Sequence, residues 1–159
     1  MASTYTPIAT TTLGSSASSV TFSSISGAYT DLILVANYQI STGNQFLNVQ
    51  FNSDSGSNYS FTNLYGEGTA AASDRTTNAT AGRLSFYGSA QSNAIMNIMN
   101  YSNSTTYKTA ISRDNTNTYV VTRVNLWRST SAITSIVLTT TSGNITVGST
   151  FTLYGVKSA

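Results

Sequence analysis

The chain of 159 residues contains no histidine and no cysteine, so its reactive side chains are five carboxylates, seven Lys and Arg, and many hydroxyls. A Ser-His-Asp triad, a Cys-His pair, a thiolate zinc site and a histidine general base are therefore all excluded. Hydrolysis by paired acids is what remains, drawn from Asp31, Asp54, Glu67, Asp74 and Asp114. A glycosidase needs two carboxyls at a defined separation across one cleft. Glu67 and Asp74 lie close in sequence, but the segment Gly66 to Gly82 (GEGTAAASDRTTNATAG) has few large apolar residues and no sustained period. It reads as a long exposed loop, which would hold a catalytic pair poorly, so the chain is expected not to be an enzyme.

Other short motifs have plain structural readings. Asp54-Ser55-Gly56-Ser57-Asn58 begins like an oxygen-rich calcium loop but has no distal bidentate acid, and Asp, Gly and Asn are what an Asx turn needs. Gly66-Glu67-Gly68 has neither the Lys-Ser nor the strand-to-helix setting of a phosphate cradle. The five sequons beginning at Asn58, Asn78, Asn100, Asn103 and Asn144 are what chance gives in a chain so rich in Asn, Ser and Thr. Arg113, Arg123 and Arg128 with Tyr119 and Trp127 mix cations with aromatics as a binding platform would, although strand aromatics usually serve the core. No cofactor and no metal site is expected.

These residues must be positioned by strands. Val20 and Phe22 alternate with Thr21 and Ser23, and Tyr29 to Ile40 is apolar on both sides in its middle, predicting a central strand covered on both faces. Gln45 to Asn52 follows the turn-like Ser41-Thr42-Gly43-Asn44, so these two runs are expected to form a hairpin. A chain reversal is predicted over Ser53 to Asn58. Further strands are predicted over Arg83 to Tyr87, Ala94 to Tyr101, Thr106 to Ser112, Thr118 to Trp127, Ala132 to Thr140 and Thr150 to Val156. Short strands at this spacing predict an all-β fold, a single antiparallel β-sandwich or barrel. Residues 1–19 read as an extended N-terminal arm or a first strand, and residues 20–159 as the β domain.

Only 8% of residues are charged, against about 25% in an average globular domain, so hydroxyls and amides replace charge on the surface. The net charge of +2 is spread from Arg75 to Lys157 without clustering, which gives no footprint for nucleic acid. The start of the chain lacks a basic segment followed by an apolar stretch, and no run of about 18 apolar residues occurs, so neither a signal peptide nor a membrane span is expected. Without disulfides, stability must come from the core, from oligomerisation or from a partner.

Several stretches fall in a familiar order: Tyr29-Thr30-Asp31-Leu32, Phe51-Asn52-Ser53-Asp54 running to Asn58-Tyr59-Ser60, Leu64-Tyr65-Gly66, Asn100-Tyr101-Ser102, Tyr107-Lys108-Thr109, Leu126-Trp127-Arg128-Ser129-Thr130 with Ala132-Ile133, and Gly148-Ser149-Thr150-Phe151-Thr152-Leu153-Tyr154-Gly155. This order resembles a family of small virion proteins of tailed bacteriophages, from about Ile8 to Lys157. The resemblance implies a jelly-roll-like β-sandwich displayed on the particle, made in the host cytoplasm. Its implied role is a decoration or cement protein on the capsid exterior that strengthens contacts between major capsid subunits, or else a tail-fibre domain contacting host glycans. Trp127 and Tyr154 are expected as core or sheet-anchor aromatics, and Gly148 and Gly155 as turn or bulge residues. Short hydroxyl side chains lose little entropy on burial, which suits close packing of many copies and predicts a homo-oligomer, a trimer. Candidate partner contacts are Tyr5, Pro7, Ile8 and Leu13 in the N-terminal segment, and Glu67, Asp74 and Arg75 in the central one.

Overall fold

The computed structural model describes residues 4–43, 45–86 and 90–157, and contains twelve strands and no helix among them. Met1 to Ser3 of the expected arm, Asn44 of the expected turn and Tyr87 of the expected strand lie outside these residues. The strands are β1 (Tyr5–Thr12), β2 (Ser19–Phe22), β3 (Asp31–Tyr38), β4 (Leu47–Phe51), β5 (Tyr59–Glu67), β6 (Ala70–Ala79), β7 (Gly82–Ser85), β8 (Ser92–Ile98), β9 (Lys108–Asn115), β10 (Tyr119–Trp127), β11 (Ile136–Thr140) and β12 (Thr150–Val156). They form an antiparallel β-sandwich of two unequal sheets, ordered β1-β12-β3-β8-β9-β10-β5-β6 and β2-β11-β4-β7.

Eight strands make a jelly roll. Outgoing β1, β2, β3 and β4 pair with or face returning β12, β11, β8 and β7, and the ribbon is rolled so that β12 also pairs with β3 and β11 with β4. Consecutive strands of such a ribbon fall in opposite sheets. For that reason β3 and β4 do not form the expected hairpin, although both runs are strands. The remaining two hairpins, β5-β6 and β9-β10, join through the β10-β5 pairing and widen one sheet to eight strands.

Alternation along each strand divides core from surface. Leu32, Leu34, Ala36 and Tyr38 of β3, Val49 and Phe51 of β4, Met96 and Ile98 of β8, Leu138 of β11 and Phe151 and Leu153 of β12 are buried between the sheets. Fully burying each large side chain contributes roughly 1.5–3 kcal/mol. Ile33 is only partly covered and Val35 is exposed, so β3 is covered on one face in the single chain and not on both as its composition predicts.

The N-terminal segment is a strand of the sheet. β1 pairs with β12 from Tyr5 opposite Val156 to Thr12 opposite Thr150, with a bulge between Pro7 and Ala9. Proline has no N–H to donate, and an edge strand tolerates it. Ile8 and Leu13 pack on the core, whereas Tyr5 and Pro7 are exposed.

The segment Gly66 to Gly82 corrects a second expectation, for it is mostly strand. Glu67 pairs with Ala70 across a two-residue turn whose Gly68 has φ of +54°, and β6 then runs antiparallel to β5. Every β6 residue before Ala79 is exposed. A strand open on both faces has no polarity alternation to detect, which is why the sequence resembles a loop.

Candidate functional site

The unequal widths of the sheets create a step. β7 is the edge of the four-stranded sheet and packs beneath β9, β10 and β5, while β6 projects beyond it. Asn125 of β10 ties the two layers together by accepting from the Arg83 backbone N–H at 2.8 Å and donating to the Arg83 carbonyl at 3.1 Å. At the step lies a cleft of about 180 Å³ lined by Tyr65 and Glu67 of β5, Asp74 of β6, Arg83 of β7 and Tyr119 of β10, with Phe46 and Phe86 as further walls.

The aromatic wall is a cluster of tilted rings. Phe86 lies edge-on to Tyr65 and Tyr119 with centroids 5.7 and 6.1 Å apart, and Tyr65 lies 6.0 Å from Tyr119. The Arg83 guanidinium stacks on Phe46 with its carbon 3.4 Å from the ring centroid, and lies 4.8 Å from that of Phe61.

The Asp74 carboxylate is held from behind. Its Oδ1 accepts from Asn63 Nδ2 at 2.6 Å, and Asn63 Oδ1 accepts from Arg123 Nε at 2.6 Å. Arg123 is fully buried, and its Nη1 reaches Asp114 Oδ1 at 2.8 Å and the Leu84 carbonyl at 2.6 Å. Asp114 Oδ2 accepts the Phe86 backbone N–H at 2.9 Å, fixing the start of the aromatic wall. Burial pushes the Asp114 carboxyl up, against the opposing pull of Arg123, and burial pulls the Arg123 guanidinium down. A polar rail thus runs from the interior to the cleft.

Glu67 and Asp74 are therefore carried on paired strands, so the geometric objection to their acting together does not hold. Both residues are exposed. Arg75, next to Asp74, points to the opposite face of the sheet, since it pairs with Thr62 while Asp74 pairs with Asn63. Tyr5, Pro7, Ile8 and Leu13 lie at or beside β1, the other edge of the eight-stranded sheet, so the two groups of candidate contacts are not brought together.

Arg113, Arg123 and Arg128 form no shared platform. Arg123 is internal, Arg113 alternates with the buried Ser112 and Asp114 and faces outward, and Arg128 donates to Ser60, the Ser57 carbonyl and Asn78. Trp127 is buried, stacks on Tyr59 with centroids 6.3 Å apart, and donates its indole N–H to Asp54 Oδ2 at 2.7 Å. Asp54 Oδ1 accepts from the Gly56 N–H at 2.8 Å, the Asx turn its sequence predicts. No group of three metal-ligating side chains occurs among the described residues.

Tyr154 is half-buried on the outer face, opposite Pro7 and Ile33. Gly148 is a turn residue with φ of +83°, as expected, but Gly155 is neither turn nor bulge. It lies inside β12 where the Tyr29 ring covers it, and a Cβ there would come 2.4 Å from the ring.

Tyr65, Arg83, Phe86 and the buried Asn63-Arg123 link escape the sequence reading. The available signal was in β10, where a period of two places Arg123 and Asn125 in phase with Val121 and Trp127, two polar side chains on a core-facing row.

The architecture is that of an antiparallel β-sandwich. No family model matches the chain, and no curated protein does. Among solved structures it is similar to a galectin of Caenorhabditis elegans, LEC-6, at 10% identity over 87% of this chain and 90% of that one, with a TM-score of 0.36. It is also similar to a Shewanella oneidensis MR-1 protein of unknown function, at 12% identity over 98% of this chain and 77% of that one, with a TM-score of 0.28.

Proposed function

We propose that the chain is a structural protein of a phage virion, a decoration or cement protein that assembles as a homotrimer on the capsid exterior and bridges major capsid subunits. The observation that carries this reading is the outer face of the eight-stranded sheet. Cross-strand pairing aligns Tyr154, Ile33, Asn97, Ile111, Val124 and Thr62 in one row, and Thr152, Val35, Ile95, Arg113, Thr122 and Leu64 in the next. Leu64 is 59% exposed, and Val120 in the adjoining row is 72% exposed.

Val35, Ile111, Val124, Leu64 and Val120 thus expose apolar side chains on one sheet face, interspersed with Thr and Asn, and apolar side chains gathered on one face mark contact with other chains. Few charges must be desolvated when it is covered, Arg113 being the only one in the middle of these rows. The resemblance of its sequence stretches, in their order, to those of small virion proteins supports the same reading, as does the low overall charge. Catalysis has no part in it.

Quantitative mass spectrometry of purified particles tests the proposal. Hundreds of copies per particle are expected, and a handful would place the protein elsewhere and overturn the cement role.

A further inference from the structure

The cleft at the step between the sheets has a chemistry that assembly through the outer face does not use. Glu67 and Asp74 line the same small space as Arg83, Tyr65 and Tyr119. We propose that this cleft binds one neutral pyranose ring of a glycan, with Glu67 and Asp74 accepting from its hydroxyls, Arg83 donating to them, and the aromatic wall covering its apolar face.

Three features select that class. The site combines acceptors with a donor, as a polyol requires, since each hydroxyl both donates and accepts. A cationic ligand would meet Arg83, and an anionic one would meet two carboxylates. The cleft's volume of about 180 Å³ lies below the roughly 300–1,000 Å³ of sites for drug-sized molecules, leaving room for one ring.

Preorganisation is the fourth argument. Asp74 stands on an otherwise exposed edge strand, where a carboxylate would ordinarily sample several rotamers. Here it is fixed by Asn63, which Arg123 and Asp114 fix in turn from the interior. Binding sites are built by locking polar groups through such supporting bonds. The inference is independent of where the chain sits on a particle.

Saturation-transfer difference NMR on the full chain tests it, because the ligand signal is read whatever the size of the assembly. The probes are the methyl glycosides of galactose, glucose, mannose and N-acetylglucosamine, with choline and acetate as charged probes. At least one glycoside is expected to bind with millimolar affinity. Glu67→Gln and Asp74→Asn should each weaken it at least about tenfold, the loss of a hydrogen bond to a charged group, while leaving the thermal transition in place. No glycoside signal up to about 50 mM would overturn the proposal. So would an affinity unchanged in both variants, or tighter binding of choline or acetate than of every glycoside.

Discussion

Asp54 shows how much a single side chain can do in a protein with few charges. Its Oδ2 accepts from Trp127 Nε1 at 2.7 Å and Asn58 Nδ2 at 3.0 Å, and its Oδ1 from the Gly56 N–H at 2.8 Å. Burial alone would raise its carboxyl, but these donors outweigh it and hold the group below its ordinary value of 3.8. A depressed folded value contributes stability above the unfolded value and loses it as pH falls through the folded one. Because Asp54 is largely solvated and its interactions are screened, Asp54→Asn should cost no more than about 1 kcal/mol in urea unfolding at neutral pH, and the gap to the parent should narrow as pH falls below the ordinary carboxylate value of 3.8. Arg123 and Asp114 behave differently, because each is buried and compensates the other. Arg123→Ala alone should cost about 3–5 kcal/mol, while the double change Arg123→Met with Asp114→Leu should recover much of it, as read from denaturant midpoints.

Strands differ in how plainly they show themselves. β2, β8, β10 and β12 were legible because one face of each is core and the other solvent, as in Val20 and Phe22 against Ser19 and Thr21. β6 was hidden because neither of its faces is buried. Partner choice was hidden for another reason: Tyr29 to Ile40 and Gln45 to Asn52 carry the local pattern of a hairpin, whereas β12 and β11 compete for them from more than eighty positions away. Of the cleft, Glu67 and Asp74 were visible as reactive types, but their meeting with Arg83 and Tyr119 depends on the β10-β5 pairing. β6 also pairs on one side only, with β5. Hydrogen exchange should find its amides exchanging at least about tenfold faster than those of β3 and β12, which both lie inside the sheet with a partner strand on each side.

The sandwich as a whole has one face that its own chain leaves open. If that face holds the proposed trimer together, Val35→Lys with Ile111→Lys should dissociate it in light-scattering measurements. Both positions are exposed in the single chain, so the stability of the monomer should change by no more than about 0.5 kcal/mol per site. The closure of the ribbon has a different consequence. β1 meets β12 almost at the ends of the described residues, and the Lys157 N–H donates to the Thr4 carbonyl at 3.1 Å. That contact spans nearly the entire sequence, so the edge of the larger sheet can be sealed only after a very long loop has been drawn shut. A circular permutant joined from Lys157 to Thr4 and opened at the Gly68 turn would convert this step into a local hairpin, and refold faster to the same structure.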